Sequence, residues 1–206
     1  FFWEPMKKDF YQRLLPSSGV YCVSALIAGS MKSRFAETIE GVLELTNSFK
    51  DEGGDVYVSP NSFSGYSRQS KYASRAKSFF VDLDVGQDKE YPSQTAALEH
   101  LDEVVTNNAL PYPTLVNSGT GIQAYWILDS DIPADDWRPI AEDFKQFCIK
   151  QGLKIDAVVT ADASRLMRCP ETFNYKTIPP SPTSLISEEI IVYTLEEIKS
   201  AIYGQT

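Results

Sequence analysis

Two aspartates stand two positions apart in an otherwise apolar stretch. Residues 79–85 read Phe-Phe-Val-Asp-Leu-Asp-Val, with the acids at Asp82 and Asp84. Because side chains alternate along a strand, the two carboxylates point to one face with their Cα atoms roughly 7 Å apart. Such oxygen ligands suit Mg²⁺ or Mn²⁺, and without a cation the pair would repel in a half-buried strand. We predict a metal site here; the alternative is a pair of exposed acids on a sheet edge.

A glycine-containing turn follows between two predicted strands, 114–118 and 122–128. Glycine lets the backbone approach a ligand closely, and hydroxyls with free backbone N–H groups can donate to a phosphate. The residues of this candidate phosphate site are Ser118, Gly119, Thr120, Gly121 and Gln123. A plain hairpin turn is the alternative interpretation.

A third stretch, 152–176, combines acids with cations. It contains Asp156 and Asp162, followed by Arg165, Arg168 and Lys176. Carboxylates that hold a metal beside cations that neutralise phosphates are what a nucleoside triphosphate site requires. The alternative is a set of surface ion pairs, which would contribute little stability.

The segment 64–77 is basic, although the chain carries a net charge of −9. It has four basic residues, no acid and several aromatic or small polar residues. It is either a solvated loop or a contact for template or nucleotide phosphates, with tyrosines that stack on bases. The candidate template contacts are Arg68, Lys71, Tyr72, Arg75 and Lys77.

The elements that must position these residues alternate between strands and helices, which predicts an α/β fold in the broad sense that includes α+β. Apolar periodicity predicts helices over 33–49, 93–107, 135–151 and 194–203. Strands are predicted over 55–59, 79–85, 114–118, 122–128 and 164–168, with 60–78 as a polar loop. Ser93 is the expected N-cap of the second helix, and Thr194 with Glu197 forms a capping box before a stop at Gly204.

Composition limits the class of protein. The chain has 206 residues, 43% of them hydrophobic, which is enough for one large domain or two small ones. Its three cysteines include no CxxC pair, so a reducing, cytoplasmic location is expected rather than a disulfide framework. No apolar run approaches the roughly 18 residues of a membrane span. The acidic balance argues against a uniformly basic nucleic-acid-binding face.

In order, spacing and residue type, the motifs around Asp82, Ser118, Asp162 and Asn174 resemble those of the archaeo-eukaryotic primase superfamily. The similarity is to the primase-polymerases of phages, plasmids and other mobile elements, and it covers about residues 55–180. The chain departs from the family pattern where Gln123 replaces a histidine and where Glu171 alters a Pro-Gly-Thr turn. The single histidine, His100, is expected within a helix in a structural or exposed role.

The resemblance implies an RRM-like catalytic sheet with flanking helices, beside an N-terminal α/β module. The expected divisions of a single core are 1–78, 79–180 for the metal and nucleotide site, and 181–206 for a C-terminal strand and helix. A start at Phe1 instead of methionine is expected of a fragment of a longer protein. A helicase domain is a possible companion.

The resemblance also implies residue roles. Asp82 and Asp84 are expected to be catalytic ligands of two Mg²⁺ or Mn²⁺ ions, with Asp156 as the third carboxylate and Asp162 as its rival. The expected nucleotide-binding residues outside the glycine turn are Arg165, Arg168, Asn174 and Lys176. The implied activity is template-directed nucleotidyl transfer from (d)NTPs on single-stranded DNA. Two alternatives remain: a primase fold that binds nucleotide or DNA without chemistry, and a metal-dependent nuclease.

Overall fold

The computed structural model describes residues 3–204, with Trp3 and Glu4 described by their backbone alone. Phe1, on which the expectation of a fragment depends, lies outside the described residues. The chain folds into two main antiparallel sheets and six α-helices within the described part. This confirms the predicted mixed α/β class with flanking helices.

The first sheet has the strand order β2-β1-β3-β8 and is antiparallel throughout. Its strands are β1 (Tyr21–Ile27), β2 (Ser30–Ala36), β3 (Asp55–Val58) and β8 (Met167–Arg168). Helices α1 (Trp3–Leu14) and α2 (Ile39–Asp51) accompany it, and α2 packs on β1, β2 and β3. Strand β8 therefore returns from late in the chain and joins the third motif to the N-terminal part.

The second sheet has the order β11-β6-β7-β5-β4, again antiparallel, with a short strand β12 parallel to β7. Its members are β4 (Ser62–Phe63), β5 (Ala73–Leu83), β6 (Thr114–Asn117), β7 (Ile122–Pro133), β11 (Ser184–Leu185) and β12 (Val192–Tyr193). A separate hairpin pairs β9 (Phe173–Asn174) with β10 (Ser181–Pro182). The remaining helices are α3 (Gln94–Asn107), α4 (Ala134–Lys150), α5 (Ala157–Thr160) and α6 (Leu195–Tyr203), and a 3₁₀ turn spans Ser70–Tyr72.

Strand alternation separates the two faces of the second sheet. On one face, Phe144 of α4 packs against Phe79 and Trp126, with ring centroids 5.6 and 5.0 Å away. Residues of the opposite parity, including Asp82 and Gln123, must then face the other way. On that other face Tyr125 meets Phe10 of α1 at 6.0 Å. The helices of one side are thus kept apart from the acids of the other.

The prediction of a helix over 33–49 is wrong at its start. Residues 30–36 form strand β2 in register with β1, and the helix begins only after Thr38, whose hydroxyl accepts from the Gly41 amide at 3.0 Å. Phe35 fits the helical period, but its ring packs edge-on against Tyr66 at 5.8 Å. Pairing between strands therefore prevails over a helical pattern that continues by coincidence.

Other boundaries change less. The helix from Gln94 with its Ser93 cap and the C-terminal helix with the Thr194–Glu197 capping box are confirmed. Strand β5 begins at Ala73, so the predicted loop 60–78 contains a strand, and the predicted strand 164–168 shrinks to Met167–Arg168. Leu166 and Arg165 accordingly precede that strand.

No helix within residues 3–204 combines the length and the hydropathy that a membrane crossing requires.

A buried carboxylate fastens the start of β5 to β7 and to the loop before β1. Asp131 Oδ1 accepts from Arg75 Nε and Nη2 at 2.8 and 2.6 Å, and its Oδ2 accepts from the Ser17 amide and hydroxyl at 2.6 and 2.7 Å. Burial raises the pKa of Asp131, but these donors outweigh it and leave the pKa below its ordinary value. Arg75 thus makes a structural contact with Asp131. Its expected contact with the template stays a prediction.

Asp131→Asn should lower the free energy of unfolding by about 2 kcal/mol at pH 7, because an amide nitrogen would face donors that need an acceptor. A depressed pKa stabilises the fold above the unfolded value of about 3.9 and loses that contribution as the pH falls below it. The difference from wild type should therefore shrink between pH 5 and pH 3 in urea titrations. Asp135→Asn, at a carboxyl group that is 94% exposed, is the control and should change nothing. An equal loss at both positions would contradict the assignment.

Candidate active site

Asp82 and Asp84 lie where β5 ends. Asp82 is half-buried, and Asp84, the first residue after the strand, is exposed. Burial, and then the charge of Asp84, raises the pKa of Asp82 to about 6. An ionised Asp82 is therefore costly in the free protein, and a bound cation would remove that cost.

Asp156 is brought directly beside Asp82. The Asp156 amide donates to the carbonyl of Asp82 at 3.0 Å, and the charge of Asp156 contributes to the raised pKa of Asp82. Asp162 is not among the charges that shift this pKa, and its Oδ1 accepts from the Ser164 amide and hydroxyl at 2.9 Å each. Of the two candidates for the third carboxylate, Asp156 is the one that lies beside Asp82.

The three carboxylates are neighbours without forming a closed ligand set. Asp156 Oδ1 caps the short helix α5 by accepting from the Val158 amide at 3.1 Å, and Asp84 faces Lys89 at 3.9 Å. Over residues 3–204, no three His, Cys, Asp or Glu side chains converge as metal ligands. The donor chemistry suits a hard divalent cation, and side-chain rotation would be needed to bring the oxygens together.

Two cations lie on the same side as the acids. Both Arg165 and Lys176 lower the pKa of Asp82, which opposes the effects of burial and of the neighbouring acids. The position of Lys176 is fixed through its amide, which donates to Asn174 Oδ1 at 3.0 Å. Arg165 and Lys176, two of the cations expected from the third motif, are therefore close enough to Asp82 to act on its charge.

The glycine turn is held between β5 and the β9–β10 hairpin. A Cβ at Gly121 would lie 2.5 Å from the carbonyl oxygen of Leu83, and a Cβ at Gly119, where φ is +92°, would lie 2.6 Å from Cβ of Asn174. Asn174 is itself buried and donates through Nδ2 to the Ser118 carbonyl at 2.9 Å. The glycines are thus required for close backbone packing beside the acids, and Asn174 acts as a structural joint.

Ser118 and Thr120 differ in their access to a ligand. Ser118 is buried, and its Oγ accepts from the Gly121 amide at 3.0 Å, so its own hydroxyl hydrogen can still be donated. Thr120 is half-buried, with the Asn174 amide 3.5 Å from its oxygen.

Gln123 stands directly opposite Asp82 across the β5–β7 pair. Its side chain is buried, and Oε1 has no hydrogen-bond partner within the described chain. Similar unpartnered buried atoms occur at Tyr125, Arg165 and Arg168. Buried polar atoms are usually satisfied. Since such atoms also occur elsewhere in the fold, only the one on Gln123, directly opposite Asp82, bears on a polar ligand beside that carboxylate.

Arg168 is placed differently from Arg165. Its Nη1 donates to Asp55 Oδ1 at 2.6 Å in an ion pair that is almost fully buried. The Tyr175 amide donates to the same oxygen at 2.9 Å, and the ring of Tyr57 lies 4.9 Å from the guanidinium. Arg168 therefore joins β3, β8 and the hairpin, and its Nη2 is buried without a hydrogen-bond partner in the described chain.

A groove of about 270 Å³ opens between the first sheet and residues 162–166, and it shares Arg165 with the surroundings of Asp82. Its lining consists of Met31, Tyr57, Arg68, Asp162, Ser164, Arg165 and Leu166. Arg68 is held there by donation to the Ser164 carbonyl at 2.8 Å. Tyr57 was not expected from the sequence, because a tyrosine in a short apolar strand reads as core; its contact with Arg168 across β3 and β8 depends on the fold.

The rest of the basic segment is divided between two places. Lys71 lies over the ring of Tyr72 at 4.9 Å in an exposed turn that can meet a nucleic acid. Arg75 and Lys77 lie near the beginning of β5, and Arg75 is seven residues, or roughly 23 Å, from Asp82 along the strand. The candidate template surface near the acids thus reduces to Arg68, with Lys71 and Tyr72 further out.

A second unexpected residue, Tyr91, connects the loops that carry the acids. Its hydroxyl accepts from the Lys154 amide at 3.1 Å and pairs with His100 Nδ1 at 2.8 Å. The Tyr91 amide donates to the Asp84 carbonyl at 3.3 Å. This network ties the segment after β5 to the segment before Asp156, and it gives His100 the structural role that was one of its two expected roles.

Known structures share this arrangement of sheets and helices. The primase-polymerase (PrimPol) domain of cyanophage S-2L superimposes with a TM-score of 0.59 at 13% identity, over 90% of this chain and 89% of that one. The catalytic domain of primase RepB′ in complex with initiator DNA gives 0.59 at 17% identity, over 95% and 92% of the two chains. A further structure of primase RepB′ gives 0.57 at 16% identity, over 93% of this chain and 59% of that one.

The chain has the primase-polymerase fold. No protein-family model matches it, and no curated protein is similar to it in sequence. The shared fold confirms the resemblance to the primase-polymerases found in the motifs. At identities of 13–17%, the similarity to these structures concerns the fold alone.

The raised pKa of Asp82 predicts how the stability of the protein without bound cations depends on pH. Because the native state binds this proton more tightly than the unfolded chain, stability should fall as the pH rises from about 4 to above 6. Asp82→Asn should therefore stabilise the protein in EDTA at pH 7.5, by about 1–2 kcal/mol after allowance for solvent screening. The gain should vanish near pH 4 in urea titrations. Mn²⁺ should raise the melting temperature of wild type and not of the variant; destabilisation of the EDTA-treated variant would contradict this account.

Proposed function

We propose that this chain is the catalytic domain of a DNA primase-polymerase, a nucleotidyltransferase that joins (d)NTPs on a single-stranded DNA template. The observation that carries the proposal is the set of charged groups that act on Asp82. Burial, then Asp84 and Asp156, raise its pKa, while Arg165 and Lys176 lower it, so both acids and cations lie close enough to act on this carboxylate. Metal-assisted transfer of a nucleotide needs this pairing of anionic ligands and phosphate-neutralising groups.

Asp82, Asp84 and Asp156 are the residues proposed to hold two divalent cations. When bound, such cations would activate the attacking hydroxyl and stabilise the leaving pyrophosphate. The carboxylates would fix the cations on the end of a rigid strand, and the connection of Asp156 to Asp82 through the backbone keeps the third ligand in place. Asp162, held by Ser164, is proposed to shape the adjacent groove.

The triphosphate is proposed to lie between the glycine turn and the cations. Lys176 and Arg165 would neutralise its oxygens, and Ser118 would donate through its remaining hydroxyl hydrogen. Arg68 on the wall of the groove adds a further donor for phosphate or template. Arg168 is proposed to position this group through its ion pair with Asp55.

Single-stranded DNA is the proposed partner, in the replication of a phage, plasmid or other mobile element. Support comes from the fold shared with a cyanophage primase-polymerase and with a primase structure in complex with initiator DNA. One observation favours each of two alternatives. Gln123 in place of a histidine fits a protein that binds nucleotide or DNA without catalysis, and an acidic cluster alone fits a nuclease. A nuclease would leave Arg165 and Lys176 without a role.

Replacement of either strand acid tests the chemistry. Asp82→Ala and Asp84→Ala should reduce template-directed incorporation with Mg²⁺ or Mn²⁺ by at least about a thousandfold, because each removes a metal ligand. The measurement is extension of a labelled primer, run beside a primer-free reaction. Asp135→Ala, at an exposed acid on α4, is the matched control and should keep wild-type rates. Synthesis by both strand variants at the wild-type rate would refute the proposal, and degradation of DNA without nucleotides would favour the nuclease.

Gln123→His distinguishes a weakened polymerase from a binding fold. Gln123 faces Asp82 across the strand pair. An amide and an imidazole can both donate to phosphate, but only the imidazole can also carry a positive charge. We expect KM for the incoming nucleotide to fall by about three- to tenfold, with a gain in synthesis that increases towards lower pH. Gln123→Leu, which removes the polar group at similar size, should raise KM. Identical kinetics for all three proteins would show that position 123 does not contact the nucleotide.

A further inference from the structure

The hairpin that carries Lys176 is fixed to the site at its base. Asn174 donates to the Ser118 carbonyl at 2.9 Å, and the Tyr175 amide donates to Asp55 at 2.9 Å. Across its turn, the Thr177 hydroxyl donates to the Pro179 carbonyl at 2.9 Å and lies 2.7 Å from Ser181 Oγ. The hairpin is therefore a braced projection next to the acids.

This projection exposes apolar side chains that the core does not use. Phe173 and Tyr175 are 39% and 41% exposed, and their ring centroids are 6.4 Å apart. Ile178, at the turn, is 100% exposed. Asn174, between the two aromatic residues, is buried. Two rings held on a braced backbone, a short distance from a catalytic centre, are unusual on a surface without a binding role.

Two lysines lie near the rings, and the neighbouring Asp55 carboxylate is paired with Arg168. Lys50, in the last turn of α2, has its ammonium group 5.7 Å from the centroid of the Phe173 ring. Lys176 follows the aromatic pair in the chain, and its charge lowers the pKa of Asp82. A pair of rings flanked by two lysines matches an unpaired nucleic-acid strand, whose bases offer π-faces and whose backbone offers phosphates.

We infer that the β9–β10 hairpin is a binding element for single-stranded DNA, with Phe173 and Tyr175 stacking on unpaired bases beside the catalytic acids. The inference rests on the proposed function, from which it takes its ligand, and it assigns that ligand to a particular surface. Ile178 would then border the strand at the turn, and Lys50 with Lys176 would contact its phosphates. Stacking is tolerant of base identity, which a template-reading enzyme needs.

The test measures the affinity of the whole chain for a short fluorescein-labelled oligo(dT) in EDTA, by fluorescence anisotropy. Joint replacement Phe173→Ala and Tyr175→Ala should weaken binding by about tenfold or more. The dependence of affinity on salt should keep its slope, because no phosphate contact is removed. Phe173→Trp with Tyr175→Trp should restore or exceed wild-type affinity. Phe173→Leu with Tyr175→Leu, which preserves apolar bulk for folding, should also weaken binding, because aliphatic side chains do not stack.

The matched control is Tyr112→Ala, a similarly exposed tyrosine (46%) beyond the opposite end of β6 from Ser118, which should bind like wild type. Wild-type affinity in both the alanine and the leucine pairs would overturn the inference, as would a wild-type protein that does not bind oligo(dT). Weakening in the alanine pair only would show that apolar bulk, rather than stacking of the rings, supports binding and would also overturn it. Primer extension is not part of this readout. If the rings bind DNA but the separate extension assay detects no synthesis, the polymerase activity is refuted and the assignment of the hairpin still holds.

Discussion

The rest of the site depends on one constraint: a carboxylate at Asp82 must be kept on the inner face of a sheet close to other carboxylates. Burial and the charge of Asp84 raise its pKa to about 6, so the ionised form is disfavoured in the cation-free protein. A fold that only needed stability would place an apolar residue there, as the neighbouring positions of β5 do. The cost is explained if the carboxylate is kept for a ligand that compensates it, and Arg165 and Lys176 provide part of that compensation before any ligand arrives.

Close backbone packing converts this strand end into a site. Gly121 brings the turn against the Leu83 carbonyl, and Gly119 admits Asn174 from the hairpin. These contacts fix the distances between the strand acids, the turn and Lys176 without using the side chains that a nucleotide would need. The glycines therefore have a demonstrable packing role in the free protein, beyond the phosphate contacts for which such turns are usually noticed.

The sequence predicted the parts of the site that lie within one element and failed where two distant elements meet. The capping residues of the helices are local properties, and they were confirmed. A strand leading to Asp82 was also predicted, although it ends at Leu83 and so leaves Asp84 outside the alternation. Arg168 resembles Arg165 in the sequence, yet its partner Asp55 is 113 residues away and only the β3–β8 pairing reveals it. Tyr91 was missed for the same reason, since its partner Lys154 becomes a neighbour only in the fold. The helix predicted from residue 33 shows the converse error, in which a local period was trusted over strand pairing.

The net charge of −9 counted against a nucleic-acid-binding protein, and the fold changes the weight of that objection. Many acids are on helix surfaces, such as Asp135 on α4 and Glu196 on α6, which are 94% and 81% exposed. The cations Arg165 and Lys176 instead lie close enough to Asp82 to act on its charge. At physiological ionic strength the Debye length is about 8 Å, so acids on distant surfaces are largely screened from a strand bound near Asp82. The charge that decides binding is therefore the local one, in which these two cations oppose the carboxylates of Asp84 and Asp156.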